Sequence, residues 1–120
     1  MTAKKNQTRN FGTFAEHLAA LFLRLKGYRI LARQLRTPLG EIDIIAKRGH
    51  TIAFVEVKAR GDMTQALEAL SYRQRERIGR AALAYASDHS KYSRFDLRFD
   101  LIAIAPWQWP RHLCNAWQPS

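Results

Sequence analysis

The chain has one cysteine, Cys114, and only ten acidic residues among its 120. A single thiol closes no internal disulfide and lacks the partners that a cysteine-based zinc site needs. No apolar run approaches the roughly 20 residues that cross a bilayer, so no membrane partner is expected. The opening residues, MTAKKNQTRN, lack the apolar stretch of a secretory signal, and the expected compartment is the cytoplasm. The few acids stand against 20 Lys and Arg, a formal net charge of +10. Such a surplus favours polyanionic partners, nucleic acid first, although it can also serve only to keep a protein soluble. An apolar content of 47% excludes a wholly disordered basic protein, and the length suits one core rather than two. The expectation is one domain over 11–120 behind a flexible basic arm, 1–10.

Hydrophobic periodicity predicts a helix over 12–26, with Phe14, Leu18, Leu21 and Leu25 at helical spacing. Ala15, Ala19, Phe22 and Leu23 widen that arc, Glu16 falls at its edge, and Gly27 is the stop signal. Strands are predicted at 28–36, 41–48 and 51–58, the last two rich in Ile and Val. Residues 59–70 read as a loop. Ser71 and Gln74 form a capping-box pattern ahead of a helix whose stripe is Ile78, Ala81, Ala82 and Tyr85. A buried strand at 95–105 and a last edge strand at 111–117 follow, separated by a Pro-bounded turn. The order α-β-β-β-α-β-β predicts an α/β fold, a mixed sheet with helices on both sides.

The chemistry lies in the second and third strands. Gly49-His50 suits a two-residue type II′ turn, where Gly takes the positive φ. That turn pairs Arg48 with Thr51, which sets Asp43 opposite Glu56 and Glu41 opposite Lys58. Directly opposed residues share a face, with Cβ atoms about 4.5–5.5 Å apart. An odd-length loop would send the two carboxylates to opposite faces. Carboxylates held that close repel unless something positive lies between them, and a hard divalent cation fits the description. Such an ion activates water and neutralises charge on a phosphate, while a neighbouring Lys stabilises that charge. The competing reading is a solvated face of cross-strand ion pairs. Against it, these acids sit in TIAFVEV and EIDII, sequence that otherwise reads as buried.

The strings GTFAEHLA with Glu16, GEIDIIAK with Asp43, and FVEVKAR with Glu56 and Lys58 resemble the YraN-like family of bacterial predicted endonucleases. That family is grouped with the archaeal Holliday-junction resolvases in the PD-(D/E)XK nuclease superfamily. The resemblance runs from about Phe11 to the strand ending near Ala105. It implies a restriction-endonuclease-like fold and a metal-dependent endonuclease that hydrolyses DNA phosphodiester bonds, structure-selective for branched or flapped DNA. Asp43 and Glu56 would ligate Mg²⁺ or Mn²⁺, with the Val57 carbonyl as a further ligand. Lys58 would be the catalytic lysine, and Glu16 a first-helix acid reaching the site directly or through water. Glu41 is expected to pair with Lys58 across the ladder. Analogy with junction resolvases implies a homodimer. The alternative is a nucleic-acid-binding module that kept the fold without catalysis.

Beyond this set, Gln74 shares a stripe with Ile78 and either faces the site or only caps its own helix. Arg73, Arg77 and Arg80 read as phosphate contacts, with a solvated face as the other reading. His17, His50, His89 and His112 show no metal-ligand spacing. Asp100 is expected to pair with an Arg, and Cys114 to lie buried in the edge strand. Trp107, Trp109 and Trp117 are expected in the core or at a subunit interface rather than stacked on bases.

Overall fold

The computed structural model describes the backbone of residues 2–119 and the side chains of residues 11–119, so the basic arm expected over 1–10 lies outside the residues described with side chains. The Ile- and Val-rich segments form adjacent strands, β2 (Gly40–Arg48) and β3 (Thr51–Ala59). Gly49 joins them at φ +59°, the conformation the turn requires, and Arg48 pairs with Thr51 as expected. β1 (Arg29–Thr37) lies antiparallel to β2. β4 (Asp96–Ile104) joins β3 in parallel, and β5 (Arg111–Leu113) returns antiparallel to β4. The result is a mixed sheet in the order β1-β2-β3-β4-β5.

Parallel pairing of β3 with β4 demands a crossover. Two helices supply it, α2 (Met63–Glu68) and α3 (Tyr72–Asp88), with a 3₁₀ turn at Ser90–Tyr92. The expected element order therefore holds with one addition. A loop was expected over 59–70, but the Asp62 carboxylate accepts from the Gln65 N–H at 2.8 Å and starts α2 there. The Ser71–Gln74 capping box is present with both of its hydrogen bonds.

Side chains alternate across the sheet as strand geometry dictates. Ile44, Ala46, Ala53 and Val55 face the first helix, α1 (Thr2–Leu25). Ile45, Ile52 and Phe54 face α3, where they meet Ile78, Ala81 and Ala82. Tyr85 is half-buried on the same stripe and meets Phe54 edge-on.

The stripe of α1 is rotated from the one expected. Phe14, Leu21 and Leu25 are 60%, 50% and 77% exposed, while Ala15, Ala19, Ala20 and Leu23 are buried. Small side chains let the helix lie close on the sheet, and close packing there outweighs the larger transfer energy of Leu and Phe. This rotation carries Glu16 from the edge of the arc into the buried face, at 8% exposure.

The C-terminal part departs from expectation as well. β5 ends at Leu113 instead of running to Trp117. Cys114 is exposed, because the strand that was to bury it has ended. Trp117 turns inward onto Phe99, as expected of a core residue. Trp107 and Trp109 lie outside the core and project from the β4–β5 turn, which overturns the core half of their expected placement. Among the described residues, no helix is long and apolar enough to cross a membrane.

Candidate functional site

Regular pairing of β2 with β3 stops at Ile44–Val55, one residue short of the acids. β1 and β2 turn over at the same level. Arg33 pairs with Ile44 and Leu35 with Ile42, and the residues skipped between them are Gln34 and Asp43. Ile44 packs on the α1 side, yet Ile42 packs with Ile45 on the α3 side. Strict alternation would put Ile42 and Ile44 together. Gln34 absorbs the twist with φ +50°, a left-handed backbone that costs a non-glycine residue about 1–3 kcal/mol.

The twist leaves Asp43 at an opening in the sheet. Its Oδ2 accepts the Val57 N–H at 2.8 Å. Asp43 borders two pockets. One, on the α3 side, contains Glu41, Glu56, Gln74 and Arg77; the other, on the α1 side, contains Glu16, Val57 and Lys58. Gly40 makes the first possible. A Cβ there would stand 3.0 Å from the Arg77 carbonyl oxygen, so the missing side chain lets α3 settle over the start of β2.

Asp43 and Glu56 stand together just beyond the end of the ladder and line one pocket. Burial above all pushes the Glu56 carboxyl up to about 9. The hydrogen bond and charge of Asp43 act in the same direction, while Lys58 pulls the other way. Without a cation, Glu56 therefore holds its proton at neutral pH. Lys58 Nζ lies 3.8 Å from Glu56 Oε1, and both side chains are largely buried.

Glu16 reaches the same opening from α1. Gln34 Nε2 donates to its Oε2 at 2.8 Å, and Arg33 Nε stands 3.5 Å from Oε1. That Oε1 is buried and has no hydrogen-bond partner. The Arg33 guanidinium is its ionic partner, and Arg33 Nε is likewise buried without a hydrogen bond. Neither Gln34 nor Arg33 stood out in the sequence. Both act through the bulge and twist of β1, which no local pattern announces.

Of the expected site residues, the structure gathers Glu16, Asp43, Glu56, Val57 and Lys58. Gln74 turns out to have both readings. It closes its capping box, with Oε1 accepting from the Ser71 N–H at 3.2 Å, and it lines the pocket of Asp43 and Glu56. Arg77 borders that pocket too. Arg73 and Arg80 stand with Arg77 around a shallower depression on the exposed side of α3. Glu41 does not pair with Lys58, since the ladder has already opened. It lies 4.0 Å from Arg36, its partner in β1.

A second polar cluster surrounds Asp100, which is fully buried. Arg98 grips it with Nε to Oδ1 at 2.9 Å and Nη2 to Oδ2 at 2.8 Å, as the sequence led us to expect. Asn115 N–H also donates to Oδ1. Lys26 Nζ approaches His112 Nδ1 at 2.6 Å, so Nδ1 accepts and Nε2–H donates to Asp100 Oδ2. Burial pushes the Asp100 carboxyl up, but these hydrogen bonds overcome it and hold the group at about 2. Ligand atoms of Asp100, His112 and Cys114 lie within 4.8 Å of one another. Both carboxylate oxygens are nonetheless taken, and Arg98 and Lys26 would repel a cation. The cluster reads as a structural network.

The fold and the site together define an α/β protein whose mixed sheet, flanked by helices, sets Asp43 between two pockets, one with Glu56 and the other with Glu16 and Lys58. The model of the family described as "Uncharacterised protein family UPF0102" matches residues 15–104, and the chain belongs to that family, in agreement with the YraN-like motifs. A UPF0102 protein of Parvibaculum lavamentivorans is 53% identical over 108 residues, covering 90% of this chain and 81% of its own. One from Mesorhizobium japonicum is 47% identical over 115 residues, covering 96% and 92%. Another, from Maricaulis maris, is 43% identical over 120 residues, covering 100% and 94%.

Proposed function

We propose that the protein is a metal-dependent endonuclease that hydrolyses DNA phosphodiester bonds, with branched or flapped DNA as its substrate. The observation that carries this reading is the buried Glu56 carboxyl, raised by its half-buried neighbour Asp43 and followed at 3.8 Å by Lys58. A buried carboxyl beside a half-buried carboxylate destabilises a fold unless a ligand uses them. Oxygen donors suit Mg²⁺ or Mn²⁺, and Glu16, which lines the neighbouring pocket with Asp43, adds a donor of the right kind. Asp43, Glu56 and Glu16 would hold the ion, with Val57 lining the site. When bound, such an ion supplies an activated water and neutralises charge on the phosphate.

The chain's own residues do the rest. To serve as a ligand, Glu56 would release its proton to solvent. Lys58, freed from Glu56, donates to a non-bridging phosphate oxygen and stabilises the charge that grows there. Gln34 keeps Glu16 aimed at the opening through its hydrogen bond. Arg77 guides the backbone towards the carboxylates, and Arg73 and Arg80 extend that path along α3.

The test is a panel of branched, flapped, single-stranded and blunt duplex DNA, incubated with the protein in Mn²⁺, in Mg²⁺ and in a chelator. We expect cleavage of branched or flapped DNA with either ion and none with the chelator. Absence of metal-dependent cleavage across the panel would sink the enzyme reading. DNA binding without cleavage would favour a non-catalytic module in its place. Sedimentation on the same samples tests for the homodimer that the resolvase analogy implies.

A further inference from the structure

The β4–β5 turn carries a feature that the carboxylate site does not use. Ala105 and Pro110 are buried and fix the two ends of the turn. Between them, Trp107 and Trp109 are 102% and 85% exposed. Large apolar side chains rarely stand fully in water, and a group of them marks a surface for a partner. Trp107 also has φ +62°, a strained conformation for a bulky residue, and its fixed ends hold the indole outward.

These indoles line a groove together with Phe11, Phe14 and Leu18 of α1. Phe14 is itself 60% exposed. Phe11 borders this groove and the pocket of Glu16, Asp43 and Lys58 alike, so the two surfaces are continuous. Arg60 lines that pocket, and its N–H bonds to the carbonyl of Ile104, a residue of the groove. Arg111, exposed, follows the turn on its other side. No acidic residue lines the groove.

We propose that Trp107 and Trp109 form a stacking platform for the unpaired bases of a nucleic-acid strand whose backbone leads into the carboxylate site. Every base offers a π face, so stacking on aromatic side chains takes up single strands with little regard to sequence. Arg60 and Arg111 supply the cations that the backbone of such a strand requires. A second copy of this chain fits the groove less well, because each copy would bring a further +10 charge to the contact. The proposal rests on the nuclease reading for the direction of the strand, and it names the substrate feature that reading would select: an unpaired arm beside the scissile bond.

The experiment measures binding of a fluorescein-labelled oligothymidylate and of a blunt duplex to the full chain by anisotropy, in chelator so that nothing is cut. Trp107→Gly combined with Trp109→Ala is expected to weaken oligothymidylate binding about 10- to 100-fold. Duplex binding should change less than about twofold, because phosphate contacts carry it. The glycine relieves the left-handed strain, so the thermal midpoint of the double variant should not fall. Equal loss on both nucleic acids, or no loss on either, would overturn the platform. A dimer that the variant dissociates while oligothymidylate binding persists would overturn it in favour of a subunit contact. Selective binding without any cleavage would then count against the nuclease alone.

Discussion

Glu56→Gln is expected to lower metal-dependent cleavage about a thousandfold and, in the same protein, to raise the stability of the metal-free fold. The two effects have one cause. Burial and Asp43 hold the Glu56 carboxyl at about 9, against an ordinary value of 4.5. The fold keeps the proton while the unfolded chain releases it. A group raised in this way contributes stability that is fully present below about pH 4.5 and is lost as pH rises through about 9. Glutamine has a similar shape and never ionises, so its variant should lack that slope. Between about pH 5 and about pH 8, we expect the wild type to lose on the order of 4 kcal/mol relative to the variant. Urea unfolding in chelator at the two pH values measures the difference. Parallel stability profiles for the two proteins would show that Glu56 is ionised without a cation and would remove the physical reason for placing one there.

Asp100→Ala should destabilise the protein by about 3–5 kcal/mol, a large share of the stability of a domain this size. Alanine leaves the Arg98 guanidinium, His112 Nε2–H and the Asn115 N–H without their common acceptor. Arg98 also donates to the Tyr28 hydroxyl, and His112 belongs to β5, so the loss reaches the exit of α1 and the C-terminal segment together. The expected readout is a drop in the urea midpoint with the pH dependence of Glu56 retained. Asp100 contributes no competing slope in that range. Its carboxyl is held at about 2, so its stabilisation is present above its ordinary value of 3.8 and is lost only as pH falls through about 2. A loss below about 1 kcal/mol would show the network to be dispensable.

The hairpin was legible because its information is local. Gly49 fixes the turn, the turn fixes the register as far as Ile44–Val55, and Asp43 and Glu56 follow side by side where the ladder opens. The capping box and the stripe of α3 were legible for the same reason. What stayed hidden depends on contacts between distant segments. Hydropathy favoured Phe14, Leu21 and Leu25 for the buried side of α1, but the sheet selected Ala15, Ala19 and Ala20 because they allow close approach. Gln34 looks like any polar strand residue; its left-handed backbone arises from the twist it shares with Asp43. Arg98 could be matched to Asp100 from their spacing on one strand face. His112 and Asn115 reach Asp100 only because β5 pairs with β4 and the chain then turns back. Nor does the sequence show that Trp107 and Trp109 project outward while Trp117 turns in.

The proposed metal site stands or falls on Mn²⁺ titration calorimetry at about pH 7.5, repeated in two buffers of different ionisation enthalpy. The account predicts saturable binding of Mn²⁺, accompanied by release of close to one proton as Glu56 ionises, with both signals absent in Asp43→Ala. Binding that Asp43→Ala leaves intact, or no binding at all, would contradict it.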